Sequence, residues 1–357
     1  MDPSVGRRIG PLELRLVGLD EVPERTARWA RALFAPVPHP RDPGAGGLTI
    51  VFTADLPPAR DRFRPHPLGP APNGLWVADH RGRQALLPLA NLDHEPVLVH
   101  PEIDFFFFHE WVCLPLVRAR LWAAGAYLLR AAGFAVDGRG IALTGASAVG
   151  KTLTVLRAVR GGAQFLGDDF LGIDRTGTVS PLTQLLGLRD EARSLVPPQS
   201  RVIRQQRPRR AAVSASRWLS RVTEPWPQVS IGFSRLADAG WRLGLDITGL
   251  QEVWPGHAVS APVPLALVVL LGSGERATST PRLAERLAAQ ARLDVPACAL
   301  LEDAFRQAHP SPAGNRLFPP FEEEVAFLSA ALAGVEVAVA SDGVAADAIV
   351  AQQVAQA

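Results

Sequence analysis

The chain of 357 residues holds one lysine, one methionine, one tyrosine and two cysteines. Each scarcity excludes something. Cys113 and Cys298 lie far apart in the sequence and fit neither a metal-ligand spacing nor a disulfide framework, so a reduced, cytoplasmic setting is the expectation. An excess of either charge is missing: 37 Lys+Arg against 35 Asp+Glu leaves +2, which carries no signature for nucleic acid or another polyanion. Long apolar runs are missing as well. The longest stretches, 264–272 and the interrupted 105–117, are too short or too broken to span a bilayer, so no membrane partner is expected. The opening "MDPSVGRRIG" lacks the apolar core of a signal peptide. The eight histidines are scattered; His94 with His100, or His109 beside Glu110, make a metal site only on paper.

What is present is a globular composition, 47% hydrophobic and 20% charged, long enough for one large domain or two ordinary ones. Arginine supplies nearly all of the basic charge, as a GC-rich coding bias would produce. The single lysine, Lys151, is therefore informative. It marks a position where a compact ammonium on a flexible stem does what a planar guanidinium cannot.

Along the chain, 11–17 and 48–54 alternate like half-buried strands, 20–34 has helical spacing, and 55–73 reads as a loop. Residues 74–89 read as two strands around "DHRGR". These elements predict a small mixed, β-leaning domain over 1–110 that carries no chemical motif. Residues 111–132 predict a connecting helix. In 133–357 the pattern becomes that of a nucleotide-binding α/β core. Asp137-Gly138 marks a two-residue hairpin, 151–162 a short helix stopped by Gly-Gly, and 163–182 a strand, an Asp pair, a strand and a turn at 175–177. Buried strands are expected at 264–272 and 334–341, with helices at 280–293 and at the C-terminus. The Pro- and Arg-rich stretch 195–228 reads as an exposed, mobile insertion, or as a basic flap for an acidic or phosphorylated partner.

The chemistry lies at 145–152, Gly145-Ala146-Ser147-Ala148-Val149-Gly150-Lys151-Thr152, which satisfies G-x-x-x-x-G-K-[ST]. In such a Walker A loop, backbone N–H groups around a tight turn cradle phosphate oxygens, and the following helix adds its positive end. Lys151 then reaches the β- and γ-phosphates and the Thr152 hydroxyl ligates Mg²⁺. ATP and Mg²⁺ are the implied ligands. Asp168 and Asp169 follow Lys151 by seventeen and eighteen positions, at the end of an apolar strand. Two adjacent carboxylates there can divide the work, one on the metal and one accepting a proton from an attacking hydroxyl.

The order of hairpin, "GASAVGKT", short helix, "FLGDD" and a second hairpin with "DRTGTVSPL" resembles the catalytic domain of HPr serine kinase/phosphorylase, whose fold is shared with phosphoenolpyruvate carboxykinase. It is most similar to the HPr-kinase-like proteins of peptide-modification gene clusters. The resemblance covers about 125–185, continues more weakly through 264–275 and the C-terminal strand, and leaves the first hundred residues unmatched. It implies an α/β P-loop core with a mixed sheet and hairpins. It also implies Asp168 as the proton acceptor and Asp169 as the metal-side acid with Thr152. The chain departs from the family pattern at Ala148, where the family has glycine, and at Arg130, where it has histidine.

The leading expectation is an ATP- and Mg²⁺-dependent kinase acting on a hydroxyl of a peptide, a protein or a small molecule; homo-oligomerisation stays open. The alternatives are a nucleotide-binding regulator or assembly factor without transfer, or a carboxykinase-type or nucleotide-hydrolysing enzyme.

Overall fold

The computed structural model describes residues 5–9, 11–24, 26–27, 30, 47–56, 68–71, 74–79, 81–92, 94–146, 149–182, 185–188, 195, 246–249, 253–254, 256–257, 261–272, 280–308 and 316–356. Strands β1 (Val5–Ile9), β2 (Leu12–Val17), β3 (Leu48–Phe52), β4 (Leu68–Ala71), β5 (Gly74–Ala78), β6 (Gln84–Leu87) and β7 (Val97–Val99) form one sheet in the order β1-β2-β3-β7-β6-β5-β4. The alternation read from 11–17 is real: Leu12, Leu14 and Leu16 are buried while Glu13, Arg15 and Val17 are half-exposed, the period of two that a one-sided strand requires. The stretch 55–73 is not all loop, since β4 lies within it and pairs with β5. The helix expected over 20–34 and the insertion expected at 195–228 lie largely outside the described residues.

The connecting helix needs correction. It starts earlier, as the short α-helical turn Phe105–Phe107, widens into a π-helical segment, Phe108–Cys113, and returns to α-helix in α1 (Leu114–Ala123). It also ends earlier. Gly125 takes φ +76°, and the chain turns into β8 (Ala126–Arg130) and β9 (Ala132–Val136). Tyr127, Leu128 and Leu129 gain a full antiparallel ladder by pairing with a later strand, β12 below, and that tertiary ladder overrides the helical propensity of "YLLRAA".

A second sheet holds the expected chemical core. Strand β10 (Arg139–Gly145) returns from β9 through Asp137 and Gly138, which take φ +48° and +74°, the double positive turn a two-residue hairpin needs. Helix α2 (Lys151–Arg160), β11 (Gln164–Gly167), β12 (Phe170–Asp174) and β13 (Thr178–Pro181) follow as read from the sequence. Strands β14 (Leu185–Leu188) and β15 (Asp246–Gly249) make a separate pair. Strand β16 (Val263–Leu271) pairs in parallel with β10. Beyond it come α3 (Thr280–Asp294), α4 (Pro296–Ala308), α5 (Phe321–Ala331), β17 (Glu336–Ala340) and α6 (Gly343–Gln356). The sheet order is β11-β9-β10-β16-β13-β12-β8, with β17 also on β16. Contrary to expectation, β17 is only half-buried, because among the described residues its ladder runs to β16 alone.

Both faces of this sheet are covered. On β16, Leu267, Val269 and Leu271 join the core beneath α2 and α6, while Val268 and Leu270 join the core beneath α3 and α5. Burial on both faces is why β16 reads as a continuous apolar run. The N-terminal sheet closes its own core only with outside help: α1, Phe170, and Val295, Leu301 and Phe305 around α4 belong to the same cluster. Between the two bodies sits a buried ion cluster. Glu324 of α5, fully buried, accepts from Arg118 of α1 and, at 2.9 Å, from Nε of Arg292 on α3. The chain is thus of mixed α/β class, and no helix among its described residues is long and apolar enough to cross a membrane.

Candidate functional site

Strand β10 ends at Gly145 and α2 begins at Lys151, so the glycine loop stands between a strand and a helix, as its motif requires. Ser147 and Ala148 lie outside the described residues. Gly145 adopts φ +143°, and a Cβ there would stand 2.4 Å from the Leu271 carbonyl oxygen, so only glycine lets β10 run this close to β16. Gly150 caps α2 with φ +101°, and among the described residues no side chain caps the helix, whose N-terminal end is electrostatically suited to an anion. Val149 packs on the core beneath α2.

Lys151 is buried, and its Nζ donates to the carbonyls of Gly145 at 2.8 Å and Ala146 at 2.7 Å. The ammonium lies in the crook of its own loop. The Gly145 carbonyl takes a second bond from Nε2 of Gln290 on α3, a brace that sequence spacing gave no means to find.

Strand β11 stops at Gly167, and the two aspartates occupy the break before β12. They diverge. Asp168 turns inward, is buried, and its Oδ1 accepts a 2.9 Å hydrogen bond from the Thr152 hydroxyl. Burial above all, and then the Asp169 charge, pushes the Asp168 carboxyl up to about 7, against the bond from Thr152 and the pull of Arg130 and Lys151. Asp169 takes φ +71°, unusual for a residue other than glycine, and turns outward with 57% of its side chain exposed. Its carboxylate pairs with Nη1 of Arg130 at 2.7 Å, and the same nitrogen donates to the Asp169 carbonyl at 3.3 Å. The Arg130 guanidinium lies 4.8 Å over the Phe170 ring. The structure therefore joins Thr152 to Asp168, whereas Asp169, expected beside Thr152 on the metal, is held by Arg130.

His109, weighed in the sequence only as a paper metal ligand, is near enough to feel the charges of Asp169 and Arg130. Its position on a π-helical segment far upstream hid it from motif reading. Among the described residues no group of three His, Cys, Asp or Glu side chains could hold a metal. A Mg²⁺ ion suits what is present, because it takes few protein oxygens and fills its octahedron with phosphate and water. A cavity of about 760 Å³ opens elsewhere, along α2 between Thr154 and Gly162 and against Asp137, Asp347 and Val350; none of Gly145, Lys151, Thr152, Asp168 and Asp169 lines it.

Compared with known proteins, the chain matches no protein-family model and no curated protein. The functional reading rests on the geometry of the loop and the two aspartates.

Proposed function

We propose that the protein is an ATP·Mg²⁺-dependent phosphotransferase that phosphorylates a hydroxyl group, on a P-loop core of the HPr kinase type. The observation that carries this reading is the Thr152–Asp168 hydrogen bond beside a buried lysine in a strand–loop–helix. Loop N–H groups and the Lys151 ammonium would bind the phosphates. Thr152 and Asp168 would hold Mg²⁺, which supplies neutralisation of phosphate charge when bound. Asp169, exposed and aligned by Arg130, would take the proton of the acceptor hydroxyl. This exchanges the roles expected for the two acids from the sequence, because the threonine that should ligate the metal touches Asp168.

The acceptor oxygen forms a bond to the γ-phosphorus, the bond to the β,γ-bridging oxygen breaks with its electron pair leaving on ADP, and the proton passes to Asp169. A second reading, a nucleotide-binding regulator, is favoured by one observation: the Arg130 pair engages the carboxylate that transfer would need. Calorimetric titration with ATP·Mg²⁺, followed by γ-labelled ATP and a panel of peptide, protein and small-molecule hydroxyls, separates the two. Binding with labelled acceptor means transferase; binding without it means regulator; neither means the loop is not a nucleotide site.

A further inference from the structure

Phe170, the residue immediately after the two aspartates, is buried in the core of the N-terminal sheet with Phe105 and Phe108 rather than in the core of its own sheet. Its neighbours Leu171 and Ile173 pack the other way, into the cluster of α3 and α5. The break that carries Asp168 and Asp169 is thus pinned to the N-terminal body. The same core holds Phe108, Val112 and Cys113 of the π-helical segment Phe108–Cys113, where the His109 carbonyl accepts from the Leu114 N–H, five residues on. The wider turn re-aims the side chains it carries, which is why π turns recur at functional positions. The His109 ring stacks on Phe105 with centroids 6.3 Å apart and an 18° tilt, and is half-buried.

We infer that the region before residue 110 completes the catalytic site, delivering the His109 imidazole to the acceptor side, beside Asp169 and Arg130, where it orients the hydroxyl to be phosphorylated. This rests on the phosphotransfer reading and adds a wall to its site. The ring suits the task. Desolvation lowers its pKa, with Asp169 opposing that effect and Arg130 adding to it, so at neutral pH it offers one donor and one acceptor and no charge. The N–H of His109 steadies the acceptor oxygen while the hydroxyl proton points to Asp169. Phosphate, ADP and proton are otherwise distributed as above, and His109 ends the cycle unchanged.

The test uses the whole chain, with His109→Phe, which keeps the ring stacked on Phe105 but removes both nitrogens, and His109→Gln, which restores a donor and an acceptor. Calorimetry measures the Kd for ATP·Mg²⁺, and turnover is followed as γ-phosphate release with water as the acceptor probe. Carbethoxylation of His109 by diethyl pyrocarbonate is followed by mass spectrometry with and without the β,γ-imido analogue of ATP and Mg²⁺. The expected results are a Kd within about twofold for both variants, turnover at least about tenfold lower in His109→Phe and partly recovered in His109→Gln, and His109 labelling slowed about fivefold or more by the analogue. Labelling that ignores the analogue, turnover unchanged in His109→Phe, or a Kd that weakens in step with turnover each overturns the inference. A wild-type chain that binds no ATP·Mg²⁺ fails in the first calorimetric arm and removes the phosphotransfer reading itself, together with this addition to it.

Discussion

Thr152 and Asp168, sixteen positions apart, meet through a 2.9 Å hydrogen bond in which the hydroxyl donates and the carboxylate accepts. A metal ion that took the threonine oxygen would find the Asp168 oxygens next to it. Thr152→Val and Asp168→Asn should therefore each weaken ATP·Mg²⁺ binding by about 10–100-fold while leaving metal-free ATP binding in EDTA nearly unchanged. Asp169→Asn should keep the affinity and lose about 10²–10⁴-fold in transfer. Calorimetry with and without metal, paired with a labelled-phosphate assay, reads both. If Asp169→Asn loses affinity and Asp168→Asn loses only turnover, the roles run as the sequence motif suggested.

The Asp168 carboxyl also predicts a pH dependence. Its folded value of about 7 stands above its ordinary 3.8. Between those limits the native chain holds a proton that the unfolded chain has released, so the contribution of Asp168 to stability is full at low pH and is lost as pH rises through that window. Asp168→Asn should raise the melting temperature of the ligand-free protein at pH 8 and flatten its pH dependence between about 4 and 7. Metal binding needs the ionised carboxylate, so ATP·Mg²⁺ binding near pH 6.5 should release up to about one proton. Titrations in buffers of different ionisation enthalpy measure that proton directly, and an uptake or a null result contradicts the assignment.

Lys151→Arg preserves charge but not shape. The ammonium fits between the Gly145 and Ala146 carbonyls, in a buried space that a planar guanidinium overfills. Nucleotide affinity should fall by at least about tenfold, with the fold intact by circular dichroism. Near wild-type affinity in the arginine variant would leave the lone lysine without a reason.

Gly145→Ala puts a methyl 2.4 Å from the Leu271 carbonyl oxygen at φ +143°. The backbone strain and the collision should cost about 1–3 kcal/mol and separate β10 from β16 at the loop. Denaturant unfolding and nucleotide titration should both report the loss.

Glu324 predicts a purely structural effect. It is fully buried between Arg118 and Arg292, with the Arg118 side chain itself only 4% exposed. Glu324→Gln strands a buried guanidinium and should cost about 3–5 kcal/mol, whereas Glu324→Leu combined with Arg118→Met should recover much of it. Chemical denaturation of the three proteins tests this; equal stabilities would show that the cluster is already hydrated.

The local signals were legible in the sequence. The Asp137-Gly138 hairpin, the glycine loop, the short α2 and the break at Asp168-Asp169 all depend on residues adjacent in the chain, and they stand where the spacing put them. The errors come from contacts that adjacency cannot encode. "YLLRAA" looks helical until β12 offers Tyr127 and its neighbours a ladder. The divergence of the two aspartates, on which their proposed division of labour rests, turns on a φ of +71° at Asp169 and on Arg130, a partner 39 positions upstream. Gln290 reaches the Gly145 carbonyl from a helix without any motif, and the proposed role of His109 likewise comes from an element far upstream, so only the three-dimensional packing reveals either. The polar, proline-rich stretch 195–228 lies largely outside the described residues, and its reading as an exposed insertion, or alternatively a basic flap, stays an expectation.

The resting position of Lys151 has a kinetic and entropic meaning. An ammonium free in water must shed its hydration shell when a phosphate arrives, and it must give up the rotational freedom of a four-carbon stem. Here both losses accompany folding, because the cation already exchanges water for the oxygens of Gly145 and Ala146. On the proposed function, nucleotide arrival would then be a swap of one oxygen ligand set for another around the Lys151 ammonium. Such a swap weakens equilibrium affinity by whatever the two carbonyls contribute, and it spares the encounter complex a desolvation barrier. On the proposed function, this arrangement would favour rapid loading and turnover over tight holding of a nucleotide.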